Sequence, residues 1–191
     1  MLSILEHTGK ELRRVGVEHF LAYGGVIGWW RNGEMIPYDG DLDMLIDIRF
    51  WRTPLMMNVL ENLRLTYGHQ ALFTQGGYKL RIILSTTNKL FLDVWPFTRG
   101  LVHRQSLSQW MVYVPLLVPP VSPGYHPVND IFPLRNVTFN GVQTFIPNNP
   151  QAYLHALYGN VNLTRELSCQ LVINGKCVQY PTVLYKLFGL Y

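Results

Sequence analysis

Apolar and polar positions alternate along this chain with two distinct periods. Leu2, Leu5, Leu12 and Val15 recur at helical spacing with charges between them, which predicts an amphipathic helix over residues 2–15. Glu18 to Ala22 reads as a short strand that runs into Gly24-Gly25, and VIGWWRNG after them reads as one or two helical turns stopped at Gly33. In DLDMLIDI, Asp41 to Ile48, acids alternate with aliphatics before Leu45 and Ile46, so the predicted strand has one carboxylate face and one buried face. Thr53-Pro54 supplies an N-cap and a first-turn residue to the helical pattern LMMNVLENLRL. Two strands are predicted at 79–84 and 89–95 around the polar turn 85–88, and a hairpin at 134–139 and 142–146 around Asn140-Gly141. Residues 115–133 hold six of the twelve prolines and read as a long, stiffened loop. Pro150 opens a last helix through Tyr158 that Gly159 ends.

Strands and helices therefore alternate, which gives an α/β (α+β) domain around one sheet. With 191 residues and no linker, the pattern is read as a single domain over 1–191. A composition of 48% hydrophobic, 13% aromatic and only 15% charged residues excludes disorder, because the apolar surface suffices to offset ordering entropy. The most apolar stretch, Met111 to Val121, is broken by Pro115, Pro119 and Pro120 and is too short to span a membrane. Glu6 and Lys10 interrupt the run that a signal peptide would need, so no signal or anchor is visible. Net charge is +4, but the basic residues are scattered, and no nucleic-acid stripe is expected. Cys169 and Cys177 flank LVINGK, a predicted tight hairpin, and read either as a disulfide across it or as two buried thiols. Asn136-Val-Thr138 and Asn162-Leu-Thr164 match the glycosylation pattern at about the frequency chance provides, which leaves the compartment open.

Charge becomes informative locally. Four of the six Asp, Asp39, Asp41, Asp43 and Asp47, fall within nine residues of an otherwise basic chain. Asp41 and Asp43 leave the same strand face about 6 to 7 Å apart. Two such charges repel by roughly 2 to 3 kcal/mol at an effective dielectric of about 20. A hard divalent cation removes that cost, and Mg²⁺ held by one or two carboxylates and a phosphate is its common form; a solvated acidic face is the other reading. An EF-hand is excluded, since Met44 and Phe50 occupy the places that need Gly and an acid. Asp93 lies in the apolar run FLDVWPF, either as a third oxyanion on the metal or as a buried acid bonded to backbone groups. Gly24-Gly25 at a strand-to-helix turn lets N–H groups approach an anion, or is simply a turn. Arg31 is the nearest cation for a phosphate, or pairs with Glu34 at the surface. Lys79 and Arg81, two apart on a strand, offer a second phosphate contact or are ordinary basic edge residues. The six His show no H-E-x-x-H spacing, and neither a G-x-S-x-G elbow nor a Walker loop is present.

These residues carry a resemblance. YGGVIGWWRNGEMIPYDGDLDM, Tyr23 to Met44, resembles the signature of the LicD and fukutin family. Gly24, Gly28, Arg31, Gly33, Ile36, Pro37, Asp39, Asp41 and Asp43 align to it without a gap. FLDVWPF around Asp93 and the stretch from Phe132 to Asn160 resemble the family as well. Gly25 stands where many members have a hydroxyl residue, and Gly40 replaces an acid common in the cluster.

The resemblance implies a nucleotidyltransferase-like mixed sheet flanked by helices. It also implies transfer of a phosphorylated small alcohol, of the phosphocholine or ribitol phosphate type, from a CDP-linked donor to a glycan. In those terms Asp41, Asp43 and Asp93 hold Mg²⁺, or Mn²⁺, against the donor pyrophosphate, and one of the three, Asp93 first among them, also takes the acceptor hydroxyl proton. Gly24, Gly25, Arg31, Lys79 and Arg81 contact the donor. The acceptor is expected on the proline loop at Tyr125 and His126, with Trp110 and Tyr113 just before it; those two read equally as strand residues of WMVYV. A nucleotidyltransferase proper and an inactive glycan-binding or partner-binding relative are the alternatives. The compartment implied is the Golgi lumen for an animal fukutin-like protein and the cytoplasm for a bacterial one.

Overall fold

The computed structural model describes residues 1–37, 39–88, 90–104, 107–114 and 125–158, and the backbone of 171–173 and 176–178. Helix α1, Leu2–Arg14, buries Ile4, Leu5 and Leu12 and ends in Arg13 and Arg14, cations at the negative end of the helix dipole. Strand β1, His19–Ala22, leads directly into α2, Tyr23–Asn32. The abrupt change of direction falls on Tyr23, at φ 46°, so Gly24 and Gly25 lie inside the first helical turn and not before it. Gly33, at φ 75°, ends α2 with its N–H returned to the Trp29 carbonyl, a left-handed cap that glycine adopts without a Cβ penalty.

Strand β2, Leu42–Asp47, follows, with Asp41 just ahead of it. Helix α3, Pro54–Tyr67, is capped by Thr53, whose Oγ1 accepts from the Met56 N–H. Strands β3, Gln70–Thr74, β4, Lys79–Ile83, and β5, Phe91–Arg104, form an antiparallel meander. β5 is twice the expected length: its first half pairs with β2 and β4, and its second half pairs with β6, Leu107–Tyr113. Part of the expected proline loop is ordered as β7, His126–Pro127, and the short helix α4, Val128–Ile131; residues 115–124 lie outside the described ones. The hairpin β8, Arg135–Phe139, and β9, Val142–Ile146, turns at Asn140 and Gly141 with φ 45° and 81°. Helix α5, Pro150–Tyr158, follows. Strands β10, Leu171–Ile173, and β11, Lys176–Val178, pair antiparallel as expected, while the cysteine pairing, Asn162 and Gly159 lie outside the described residues.

The central strand order is β1-β2-β5-β4-β3, with β2 and β5 parallel and the other neighbours antiparallel. This is the mixed sheet flanked by helices that the resemblance implied. Leu42, Met44 and Ile46 of β2, with Leu80, Ile82, Leu92 and Val94, face α1, α3 and the β8-β9 hairpin in one core. Leu45 and Phe97, on the opposite face, join Phe20, Val26, Val112, Ile131, Tyr153 and Leu154 under α2, α4 and α5. By the same alternation, Asp43, Asp93, Trp95, Lys79 and Arg81 all leave the sheet on this second face.

Candidate active site

The strand register draws a polar row across the sheet. Asp43 of β2 lies opposite Asp93 of β5, and Asp93 lies opposite Arg81 of β4. Two carboxylates on facing positions of neighbouring strands repel, and the site separates them by giving each a different donor. Asp93, 3% exposed, receives Lys79 Nζ on Oδ2 at 2.9 Å, and Arg81 Nε and Nη2 on Oδ1 and Oδ2 at 2.8 and 3.0 Å. The bidentate Arg81 also sits over the Phe91 ring, its Cζ 3.6 Å from the centroid. Asp43 turns instead to Trp95, whose indole Nε1–H donates to Oδ1 at 2.9 Å. Lys79 Nζ sits 5.1 Å from the centroid of that same indole.

The remaining acids converge on the start of α2. A Cβ on Gly24 would fall 2.5 Å from Asp39 Oδ2, so the absence of a side chain there makes room for this carboxylate. Gly25 has another reason: it is buried, and a Cβ would meet Leu21 side-chain carbons at 2.7 Å. Gly28 is packed against backbone, its would-be Cβ falling 2.3 Å from the Glu34 carbonyl oxygen. The phenol oxygen of Tyr153, on α5, accepts from the Tyr23 N–H at 3.3 Å and ties α5 to the first turn of α2.

Charge in this cluster is under-compensated. Burial, followed by the repulsion of Asp41, pushes the Asp39 carboxyl up to about 6. Asp41 is raised by burial and then by Asp93, with Arg81 and Lys79 acting against both. Burial pushes Asp43 up to about 7 although Trp95 stabilises its anion, and Asp41, Asp93 and Asp39 add to the rise. Asp47, the fourth acid of the sequence cluster, belongs elsewhere: at the far end of β2 it forms a bidentate pair with Arg49. No group of three His, Cys, Asp or Glu is arranged as a ready-made metal cage among the described residues. What Asp41 and Asp43 offer is an incomplete, oxygen-only pair, the donor set of a hard cation that completes its shell with substrate and water.

The structure thus brings Asp41, Asp43, Asp93, Lys79, Arg81 and Gly24 together at one end of the second sheet face. Lys79 and Arg81, read from sequence as contacts to a phosphate, spend their charge on Asp93, and Asp93, read as a metal ligand, has both oxygens engaged by them. Arg31 lies on the last turn of α2, about two helical turns from Gly24. His126 departs from its expected place on an exposed loop: it is 5% exposed in β7, its ring 4.6 Å from that of Tyr153. Its Nδ1 meets no partner among the described residues, and burial lowers the imidazole to about 4. Tyr125 is half-buried with its ring 5.2 Å from Tyr113, and Trp110 on β6 is 61% exposed. Sequence reasoning left Asp39 and Trp95 out of the site. The signal for Asp39 was its period-two spacing with Asp41 and Asp43, and for Trp95 its place two residues after Asp93 on one strand face.

A mixed sheet that gathers spaced aspartates beside a glycine-led helix defines a nucleotidyltransferase-like domain. Residues 16–149 match the family model LicD/FKTN/FKRP, nucleotidyltransferase domain. The chain belongs to this family, whose members are generally transferases acting in phosphotransferase-type modification of glycans. No curated protein matches the chain in the corresponding search. Among the described residues no helix is long and apolar enough to cross a membrane.

Proposed function

We propose that this chain transfers a phosphorylated small alcohol, of the phosphocholine or ribitol phosphate type, from a CDP-linked donor to a glycan, with Asp41 and Asp43 holding Mg²⁺ or Mn²⁺. The observation that carries this reading is the unequal treatment of the acids. Asp93 is matched by two cations, whereas Asp39, Asp41 and Asp43 share a half-buried space in which all three carboxyls are raised. Such a pocket favours an incoming positive charge. A bound divalent cation would supply charge neutralisation of the donor pyrophosphate and of the departing CMP.

The chain's own groups divide the remaining work. Gly24 and Gly25 present first-turn N–H groups of α2 toward the donor phosphates, while Arg31, about two turns further along the helix, stands away from that contact. Asp93 acts as an anchor: it holds Lys79 and Arg81 in place, so that positive charge borders the donor site without closing on Asp43. The proton of the acceptor hydroxyl passes to Asp39, whose affinity near 6 suits a base at neutral pH, whereas both oxygens of Asp93 are already engaged by Lys79 and Arg81. The acceptor lies along Tyr113 and Tyr125, aromatic faces suited to sugar rings, with buried His126 supporting the strand behind them.

Purified protein incubated with CDP-choline or CDP-ribitol, an oligosaccharide acceptor and Mg²⁺ is expected to release CMP, and EDTA, Asp41→Asn or Asp43→Asn to stop it. Wild-type rates in either variant would refute the assignment. Release of phosphocholine or ribitol phosphate, with CMP left on the acceptor, would identify a nucleotidyltransferase proper, and metal-dependent donor binding without turnover a binding relative.

A further inference from the structure

We infer that Trp95 is a positioning residue of this site: its indole N–H fixes one oxygen of Asp43 and leaves the other oxygen, with the carboxylate charge uncancelled, for a divalent cation. The inference rests on the reading of Asp43 as a cation-holding carboxylate and adds to it the group that orients that carboxylate.

The argument begins with register. Asp43 and Asp93 face each other across the parallel β2/β5 pair, and Lys79 and Arg81 stand on the far side of β5. Asp93 is in contact with both cations, and Asp43, one strand further, is close enough for its charge to act on Arg81. If Asp43 joined that network, its charge would be consumed as the charge of Asp93 is. Trp95 prevents this. It leaves β5 on the same face, two residues after Asp93, and donates from Nε1 to Asp43 Oδ1 at 2.9 Å. Among the described residues this is the hydrogen bond that Asp43 receives, and it reaches only one of the two oxygens. The same indole also lies beside Lys79, whose Nζ is 5.1 Å from the ring centroid and 2.9 Å from Asp93 Oδ2. One half-buried side chain thus directs the ammonium toward Asp93 and the indole N–H toward Asp43.

The chemistry of the donor matters. An indole N–H is neutral and donor-only, so it can orient a carboxylate without adding positive charge. A Lys or Arg in its place would orient Asp43 as well but would compete with a metal ion for it. A phenylalanine keeps the aromatic surface beneath Lys79 and removes only the N–H.

Two measurements on the full chain test the inference. In the ¹H–¹⁵N spectrum, the indole resonance that disappears in Trp95→Phe is expected to move in Asp43→Ala. Titration with Mn²⁺, followed by electron paramagnetic resonance, is expected to show that Trp95→Phe weakens binding about tenfold or more, in line with loss of a hydrogen bond to a charged group. Asp43→Asn is expected to weaken it further, and thermal unfolding shows whether each variant is folded. An indole resonance that ignores Asp43→Ala overturns the positioning contact even if Trp95→Phe fails to fold. Unchanged Mn²⁺ affinity in folded Trp95→Phe, beside clear loss in Asp43→Asn, overturns the inference while the proposed function stands. Absence of Mn²⁺ binding by the wild-type chain overturns both.

Discussion

Replacing Asp43 by Asn should stabilise the protein, and should do so only above acidic pH. The Asp43 carboxyl is held at about 7 in the folded chain, against an ordinary value of 3.8. Each tenfold displacement of an ionisation equilibrium corresponds to about 1.4 kcal/mol, so the charged form is penalised by about 4 kcal/mol at most. Relaxation of the coupled acids Asp39 and Asp41 reduces this, and about 2 to 4 kcal/mol is the expected range. Because the folded-state value is raised, the penalty is absent below 3.8, builds as pH climbs from 3.8 to about 7, and is complete above that. Asparagine carries no charge at any of these values and keeps an oxygen for Trp95 Nε1, so the hydrogen bond itself is not the variable. Urea denaturation in EDTA from pH 4 to 8.5 should therefore give a stability difference near zero at the acid end and a gain of about 2 kcal/mol or more above pH 7.5. Excess Mg²⁺ in place of EDTA should close the gap, since a ligand of the native wild type stabilises it by mass action. A variant no more stable than wild type at pH 8, or a difference that does not change with pH, would refute the account of this site as an under-compensated acidic pocket.

Other substitutions test other parts. Asp93→Asn leaves buried Lys79 and half-buried Arg81 without their carboxylate and should cost about 3 kcal/mol in denaturant unfolding; a loss of activity with unchanged stability would argue against the anchor role. Gly28→Ala forces a methyl against the Glu34 carbonyl and should lower stability by about 1 to 3 kcal/mol, seen as a fall in Tm; an unchanged Tm would show that the turn after α2 yields freely. His126 is held at about 4 against an ordinary 6.5, so its contribution is complete above 6.5 and is lost as pH falls toward 4. His126→Phe should accordingly unfold less readily than wild type near pH 4.5 relative to pH 8, and parallel pH profiles of the two would contradict the buried, neutral imidazole.

Local rules carried the sequence reading where one element decides its own shape. Thr53-Pro54 caps α3 through a contact three residues long, and Asn140-Gly141 makes its turn from two residues. The start of β2 was legible because Asp41 and Asp43 alternate with the core residues Leu42 and Met44, although Leu45 on the acid face is itself buried in the second core. β3 was not legible, since an edge strand whose first three residues are exposed needs no alternating pattern, and Leu72 on it is 55% exposed. The second half of β5 was missed because Pro96 and Gly100 punctuate it, although β6 supplies its pairing. In the site, the grouping of Asp41, Asp43 and Asp93 with Lys79 and Arg81 followed from predicted strands lying side by side. Which cation meets which acid did not, because that depends on the stagger of β4 against β5, and no local pattern encodes it. The burial of His126 depends on Tyr153 in another helix, so a proline-rich neighbourhood pointed the wrong way.

The pairing of β2 with β5 has a consequence for chain length. Along 42–47 and 91–97 successive side chains go to opposite sides, lipid-like residues such as Met44 and Val94 to one and Asp43 and Asp93 to the other. Slipping either strand by one position would send an aspartate toward Leu80 and Leu92 and turn a methionine or valine into the row of site residues. These stretches therefore carry a reading frame of two. A single-residue insertion or deletion within them exchanges one face of the sheet for the other, whereas a paired one leaves each remaining side chain on its own side and changes only the residue it faces on the neighbouring strand.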